Sequence, residues 1–310
     1  MVIRLSNYKE FFNIAGIGAI GGVIAGQFSR HNCPITLLLK NEDQLIEYRN
    51  SGLTVISPEE SFNYSPNAIN INDVKGKITF LMICVKAYDI INTLEKLKNN
   101  LDKNSVIVLI YNGMGTLDEI KQIYPDLRIL SCVSYIGAYS DPQFTVKCYI
   151  GGKLYLGPSI GTFTHDEIQF IRKMFKSAKI SFSWKKDMSF DIWKKFSVNC
   201  SINILAVLFN CKYGELLNHL DLLQKLTQEV SLVLKAYNVP ISEKVLLKKV
   251  LKFLNLISES YSSTLQDVRR SKNTELPYLN GYLVKLAQEK NIPVDLNLKL
   301  LKILEERGIT

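Results

Sequence analysis

The chain has 310 residues, 47% of them hydrophobic and 22% charged, with a formal charge of +9; it can fill a large core, and its length suits two domains. A basic balance suits nucleic acid, a membrane surface or anionic small molecules, but the lysines are scattered with no run of five like charges, which argues against a nucleic-acid tail. Six cysteines without a Cys-x-x-Cys pair and three dispersed histidines make no zinc pattern, and no apolar stretch reaches membrane-span length, so a cytoplasmic protein with reduced thiols, no metal and no membrane segment is expected.

"FFNIA" reads as a buried strand, and "NIAGIGAIGG" (Asn13–Gly22) follows it. Gly16, Gly18 and Gly21 fit G-x-G-x-x-G, with Ile17, Ala19 and Ile20 between them. A helix over "AIGGVIAGQFSRH" and a second strand over "CPITLLLK" complete the strand, turn, helix, strand order that a dinucleotide-binding fold requires. In that setting Gly16 permits the tight turn, Gly18 lets backbone approach a pyrophosphate, and Gly21 allows close helix packing. The helix N-terminus then faces phosphate charge.

The end of the second strand reports on the ribose. Lys40 stands there and cannot accept from a 2′-hydroxyl, but it attracts a 2′-phosphate, which favours NADP(H). Glu42 or Asp43, just beyond, leaves the opposite reading open. Further strands are expected at "KITFLMICVK", ending in Lys86, and at "SVIVLI", followed by "YNGMGT" with Asn112. Ligands in open α/β sheets sit beyond the carboxyl ends of strands, so Lys86 and Asn112 both become candidates. "RILSCVSYIGAYS" and "TVKCYIGGKLYLGP" read as a hairpin, "HDEIQFIRKMFKSA" as a helix and "ISFSWKK" as a last strand.

From about residue 187 helical periodicity takes over, giving domains of 1–186 and 187–310. Helices are expected near 188–210, 213–237, 242–270, 277–290 and 295–307. In the first of them Lys195, Asn199 and Asn203 lie four residues apart, a polar stripe on one helical face among apolar neighbours. A buried ammonium is costly unless an anion approaches, and amides suit a small polar ligand; a structural reading, with Lys195 reaching solvent and the asparagines bonding backbone, stays open. Ser263 and Asp267 form a second polar set, and Thr274, Glu275 and Pro277 mark a helix start. Glu275 serves either that helix N-terminus or a substrate hydroxyl.

Together "GIGAIGG", "CVKAYD", "YNGMGT", "WKKFSVNCSIN" and "TLQDVRRSKNTELPYLNG" resemble the ketopantoate reductase (2-dehydropantoate 2-reductase) family over nearly the whole chain. The resemblance implies an N-terminal Rossmann domain, a helical C-terminal domain, an active site between them, and NADPH-dependent reduction of 2-dehydropantoate to (R)-pantoate on the way to pantothenate and coenzyme A. It implies Lys195 as general acid, Glu275 as a catalytic and substrate-binding carboxylate, and Asn199, Asn203 and Ser263 as substrate ligands. Lys86 and Asn112 would lie near the nicotinamide, Asn112 also touching substrate. Many relatives carry Arg where this chain has Lys40, which keeps the charge but loses the planar fork and so weakens NADP preference. A related reductase of another 2-oxoacid and a non-catalytic NADP(H) sensor are the rival readings. A homodimer is compatible with all of them.

Overall fold

The computed structural model describes residues 12–309, so Phe11, the first residue of the expected opening strand, lies outside the described residues. The chain forms two compact units, one of residues up to Tyr111 with Thr116–Met188, the other of Asn112–Gly115 with Ser189–Thr310.

The first unit opens with β1 (Phe12–Ala15), α1 (Ala19–Arg30) and β2 (Thr36–Leu39). Then come α2 (Glu42–Ser51), β3 (Leu53–Ile56), β4 (Ser61–Tyr64), β5 (Asn67–Asn70), β6 (Phe80–Ile83), α3 (Ile90–Leu97), β7 (Val106–Ile110) and α4 (Thr116–Ile123). It closes with β8 (Arg128–Ser134), β9 (Gly137–Asp141), β10 (Thr145–Ile150), β11 (Leu154–Ile160), α5 (His165–Ser177) and β12 (Phe182–Trp184). The main sheet runs β12-β11-β8-β7-β6-β1-β2-β5. From β5 through β2, β1, β6 and β7 to β8 every pair is parallel. β6 (FLMI) and β7 (VIVLI) are buried at every position, as strands covered on both faces must be. The order reverses at β1, which has β2 on one side and β6 on the other, so a crevice opens at the carboxyl ends of β1 and β6.

The expected single hairpin is instead two nested ones. β8 pairs antiparallel with β11 in the main sheet, while β9 pairs with β10 in a second sheet, ordered β4-β3-β10-β9. The chain changes sheets at Tyr135–Ile136 and at Gly151–Gly152. There a Cβ on Gly152 would lie 2.0 Å from the Tyr135 carbonyl oxygen, so only glycine lets the two crossing segments approach. The second sheet covers α1 through two further glycines. A Cβ on Gly22 would sit 2.6 Å from Val146 Cγ1, and one on Gly26 2.5 Å from Val55 Cγ2.

Arg128, at the start of β8, makes a two-pronged ion pair with Glu167 of α5 (3.0 and 2.8 Å) and also donates to the carbonyl of Thr162. Burial pushes the Glu167 carboxyl up, but bonds from Arg128 and Thr164 outweigh it and hold the pKa below its ordinary value. A depressed carboxylate contributes stability above its unfolded pKa, lost as pH falls through the folded one. Arg128→Met should therefore lower stability at pH 7 by about 1–3 kcal/mol and flatten the decline of Tm on acidification below about pH 4.5; parallel wild-type and variant melting curves across pH 3–7 check both.

The second unit is helical: α6 (Ser189–Phe209), α7 (Leu220–Ala236), α8 (Glu243–Leu256), α9 (Ser263–Arg269), α10 (Asn280–Glu289) and α11 (Asp295–Glu306). The helix expected over 242–270 is broken at 257–262, and Tyr213–His219 is a 3-10 segment preceding α7. These two departures have one cause. The carbonyls of Ser258 and Ser260 accept from the N–H groups of Gly214 and Tyr213, so the interrupted stretch is a docking site for the 3-10 segment. The serines that favour a break then restart the chain, Ser262 capping α9 through Leu265 N–H at 3.0 Å. α11 is capped from another helix: Glu229 of α7 accepts from the N–H groups of Leu296 and Asn297 at 2.7 and 3.0 Å.

Against the expectation that no stretch reaches membrane-span length, α6 is the one described helix long and apolar enough to cross a membrane. It runs through the core of this unit, with Phe196, Cys200 and Ile202–Val207 buried. Asn210, at φ +50°, ends it in the left-handed conformation, and the next N–H returns to the Ala206 carbonyl.

Candidate active site

The glycine turn stands at the switch point of the main sheet. Gly16 has φ +92°, and a Cβ there would lie 2.7 Å from the Cys84 backbone carbon after β6. A Cβ on Gly21 would lie 2.0 Å from the Gly16 carbonyl oxygen, so the helix seats directly on the turn only without one. Gly18 is the opposite case, with nothing within 4 Å of the added atom. α1 begins there with no capping side chain and no acidic residue in its first turn, and its first amide groups suit an anion. Ile17, Ala19 and Ile20 complete the turn half-buried. These features fit a dinucleotide pyrophosphate.

Lys40 follows β2 and is exposed; its backbone N–H donates to Gln44 Oε1 at 3.1 Å. Asn41 caps α2 by accepting from Gln44 N–H, and Glu42 and Asp43 are exposed in that helix's first turn, where the dipole favours carboxylates. Lys86 follows β6 and is half-buried just ahead of the 3-10 turn Ala87–Asp89.

The other candidates belong to the helical unit. On α6, Lys195 and Asn199 are half-buried and Asn203 is only 2% exposed, so the stripe runs from accessible to buried. Lys194 is also half-buried; burial, and then the charge of Lys194, lower the pKa of Lys249 on α8. Cys200, buried between Asn199 and Ser201, has its thiol pushed well up by burial.

Glu275 is 3% exposed, and its Oε2 accepts from Asn112 Nδ2 at 3.1 Å. Asn112 opens the loop after β7, and that loop is fitted tightly to the segment following Glu275. Met114 N–H donates to the Tyr278 carbonyl, and Gly113 and Gly115 have φ of +91° and +100°. A Cβ on Gly113 would lie 2.4 Å from that same carbonyl oxygen, and one on Gly115 2.7 Å from the Tyr282 ring. The glycines of "YNGMGT" thus place Asn112 against a carboxylate 163 residues away. Thr274 accepts from Leu276 N–H, and Pro277 lies in the short 3-10 turn that follows. Ser263, at the first position of α9, is exposed, whereas Thr264 and Asp267 beside it are buried.

Two family models match the chain: "Ketopantoate reductase PanE/ApbA" over residues 12–161 and "Ketopantoate reductase PanE/ApbA C terminal" over residues 187–308. The chain belongs to the ketopantoate reductase family. It is an enzyme of the oxidoreductase class. A 2-dehydropantoate 2-reductase of Salmonella typhi is 26% identical over 294 residues, covering 95% of this chain and 94% of that protein. A dimeric ketopantoate reductase from Staphylococcus aureus shares the fold, with a TM-score of 0.80 at 19% identity over 95% of this chain and 97% of that one. So does a D-mandelate dehydrogenase solved with NADH and anilino(oxo)acetate, with a TM-score of 0.86 at 16% identity over 95% and 98%.

Among these ketopantoate reductase candidates the structure brings Asn112 and Glu275 into direct contact and puts Lys195, Asn199 and Asn203 on one helix. Sequence reading passed over Tyr213 and Thr264, which bond Asn203, and over Asn280, which donates to the Cys200 carbonyl of α6 at 2.8 Å. The available signal was general: a buried amide requires partners, but spacing does not say which.

Proposed function

We propose that this protein reduces 2-dehydropantoate to (R)-pantoate with NADPH, in the cytoplasm, as a step toward pantothenate and coenzyme A, and that it works as a homodimer with no nucleic-acid, membrane or metal partner. One observation carries the substrate side of this reading: a buried carboxylate, Glu275, held by Asn112 in the unit that also carries Lys195. The relatives' common activity supports the reaction.

NADPH, when bound, supplies the hydride. Gly16, Ile17, Gly18, Ala19, Ile20 and Gly21 would hold the pyrophosphate, Lys40 would attract the 2′-phosphate, and Lys86, just beyond β6, would border the nicotinamide end. Lys195 donates its proton to the ketone oxygen of the substrate as negative charge develops there. Asn199 and Ser263 hold the 2-oxoacid, Asn203, expected as a third ligand, supports them from the buried side through Tyr213 and Thr264, and Glu275 accepts from the 4-hydroxyl while Asn112 bonds both carboxylate and substrate. A ketone reduced without proton supply would leave an alkoxide, so the ammonium serves as electrostatic partner and acid in one.

NADPH oxidation followed at 340 nm with 2-dehydropantoate tests this directly; substrate-dependent turnover giving (R)-pantoate is the expected result. The similarity to a dehydrogenase bound to anilino(oxo)acetate favours one second reading, another 2-oxoacid as substrate, and turnover confined to other members of a 2-oxoacid panel would select it. Lys40→Ala should narrow the NADPH-over-NADH preference about tenfold, since one charge-assisted phosphate contact disappears. An unaltered ratio of kcat/KM values would assign the ribose to another residue.

A further inference from the structure

We propose that Tyr213 and Thr264 are positioning residues for the 2-oxoacid, acting through Asn203 to hold α9 in register with the Lys195 face of α6. The inference rests on the reductase reading above.

Asn203 lies two helical steps of four beyond Lys195 and one beyond Asn199. Its amide is bonded at both ends. Oδ1 accepts from the Tyr213 hydroxyl at 2.9 Å, and Nδ2 donates to Thr264 Oγ1 at 3.2 Å. Each hydroxyl can donate or accept, so together they fix the plane of the amide whichever way round it sits. All three side chains are buried, at 6%, 2% and 2% exposure, so water cannot replace a lost partner.

Both hydroxyls are themselves held. The Tyr213 ring packs edge-on against Phe253 with centroids 5.7 Å apart, and its backbone N–H donates to the Ser260 carbonyl. Thr264 sits in the first turn of α9, which Ser262 caps. The neighbour of Thr264 is Ser263, exposed at the first position of the same helix. The bond from Asn203 to Thr264 therefore ties the turn that presents Ser263 to the helix that presents Asn199 and Lys195. Loosening it shifts one set of substrate ligands against the other without touching the nucleotide unit.

A merely structural role predicts lower Tm with unchanged kinetic constants at temperatures where the protein stays folded. The positioning role predicts a split. Tyr213→Phe and Thr264→Val keep the shape of each side chain and remove one bond. Each should raise KM for the 2-oxoacid about five- to tenfold, leave KM for NADPH unchanged and alter kcat by less than about twofold. The double variant should lose less than the product of the two, because both act on one amide. Thr264→Ser restores the hydroxyl and should restore KM. Should Tyr213→Phe fail to fold, the Thr264→Val and Thr264→Ser pair decides alone. Wild-type turnover with KM unmoved in the variants would overturn this inference and leave the functional reading standing. No wild-type turnover on any 2-oxoacid would overturn both.

Discussion

Lys195→Ala should lower kcat by about 10²–10⁴-fold while NADPH binding, read by fluorescence titration, stays at the wild-type level. The magnitude is that of a positioned general acid, and the selectivity follows from location. Lys195 lies on α6, in the helical unit, whereas the glycine turn belongs to the sheet unit. Lys195→Arg makes the assignment sharper. It keeps the positive charge but holds its proton too tightly to donate it at neutral pH, so a variant with near-normal kcat would show that charge alone suffices. A Lys195→Ala enzyme with near-normal kcat would remove the acid role altogether.

Glu275→Ala should reduce kcat/KM for the substrate by about 10–100-fold, chiefly through KM, since a bond to an ionised acceptor is worth about 1.5–3 kcal/mol. Two effects add at this position. On the proposed reading the substrate hydroxyl loses its acceptor, and Asn112 loses the partner that holds it at 3.1 Å. Asn112→Ala leaves the Glu275 acceptor in place and removes the bonds of Asn112 instead, so comparing the two variants isolates the share of the carboxylate. Glu275→Gln retains a neutral acceptor and belongs in the same kinetic series. An unchanged kcat/KM in Glu275→Ala would count against any contact between this carboxylate and substrate.

Much of the sheet unit is legible in one dimension because its signals are local. Gly16, Gly18 and Gly21 are separated by a few residues, and each answers to a backbone requirement of its own turn. The apolar runs that became β6 and β7 announce themselves for the same reason, being buried on both faces. What misled was also local. "RILSCVSYIGAYS" has strand composition throughout, but Tyr135–Ile136 turns it from one sheet to the other, and the turn depends on Gly152 arriving from a later segment. The stretch 242–270 has helical periodicity throughout, but carbonyls of Ser258 and Ser260 are claimed by Gly214 and Tyr213 from 40-odd residues earlier.

By itself, then, the chain's order of residues determined a nucleotide-type α/β unit, a helical unit, and a polar stripe of Lys195, Asn199 and Asn203, since periodicity and turn chemistry act over a few residues. Only the tertiary structure decided which polar groups meet: Asn112 with Glu275, Asn203 with Tyr213 and Thr264, Glu229 with the start of α11. Such bonds close over long stretches of chain, and their partners are chosen by packing. A buried amide or carboxylate demands a partner, but the helices and loops that shut water out determine which one it finds.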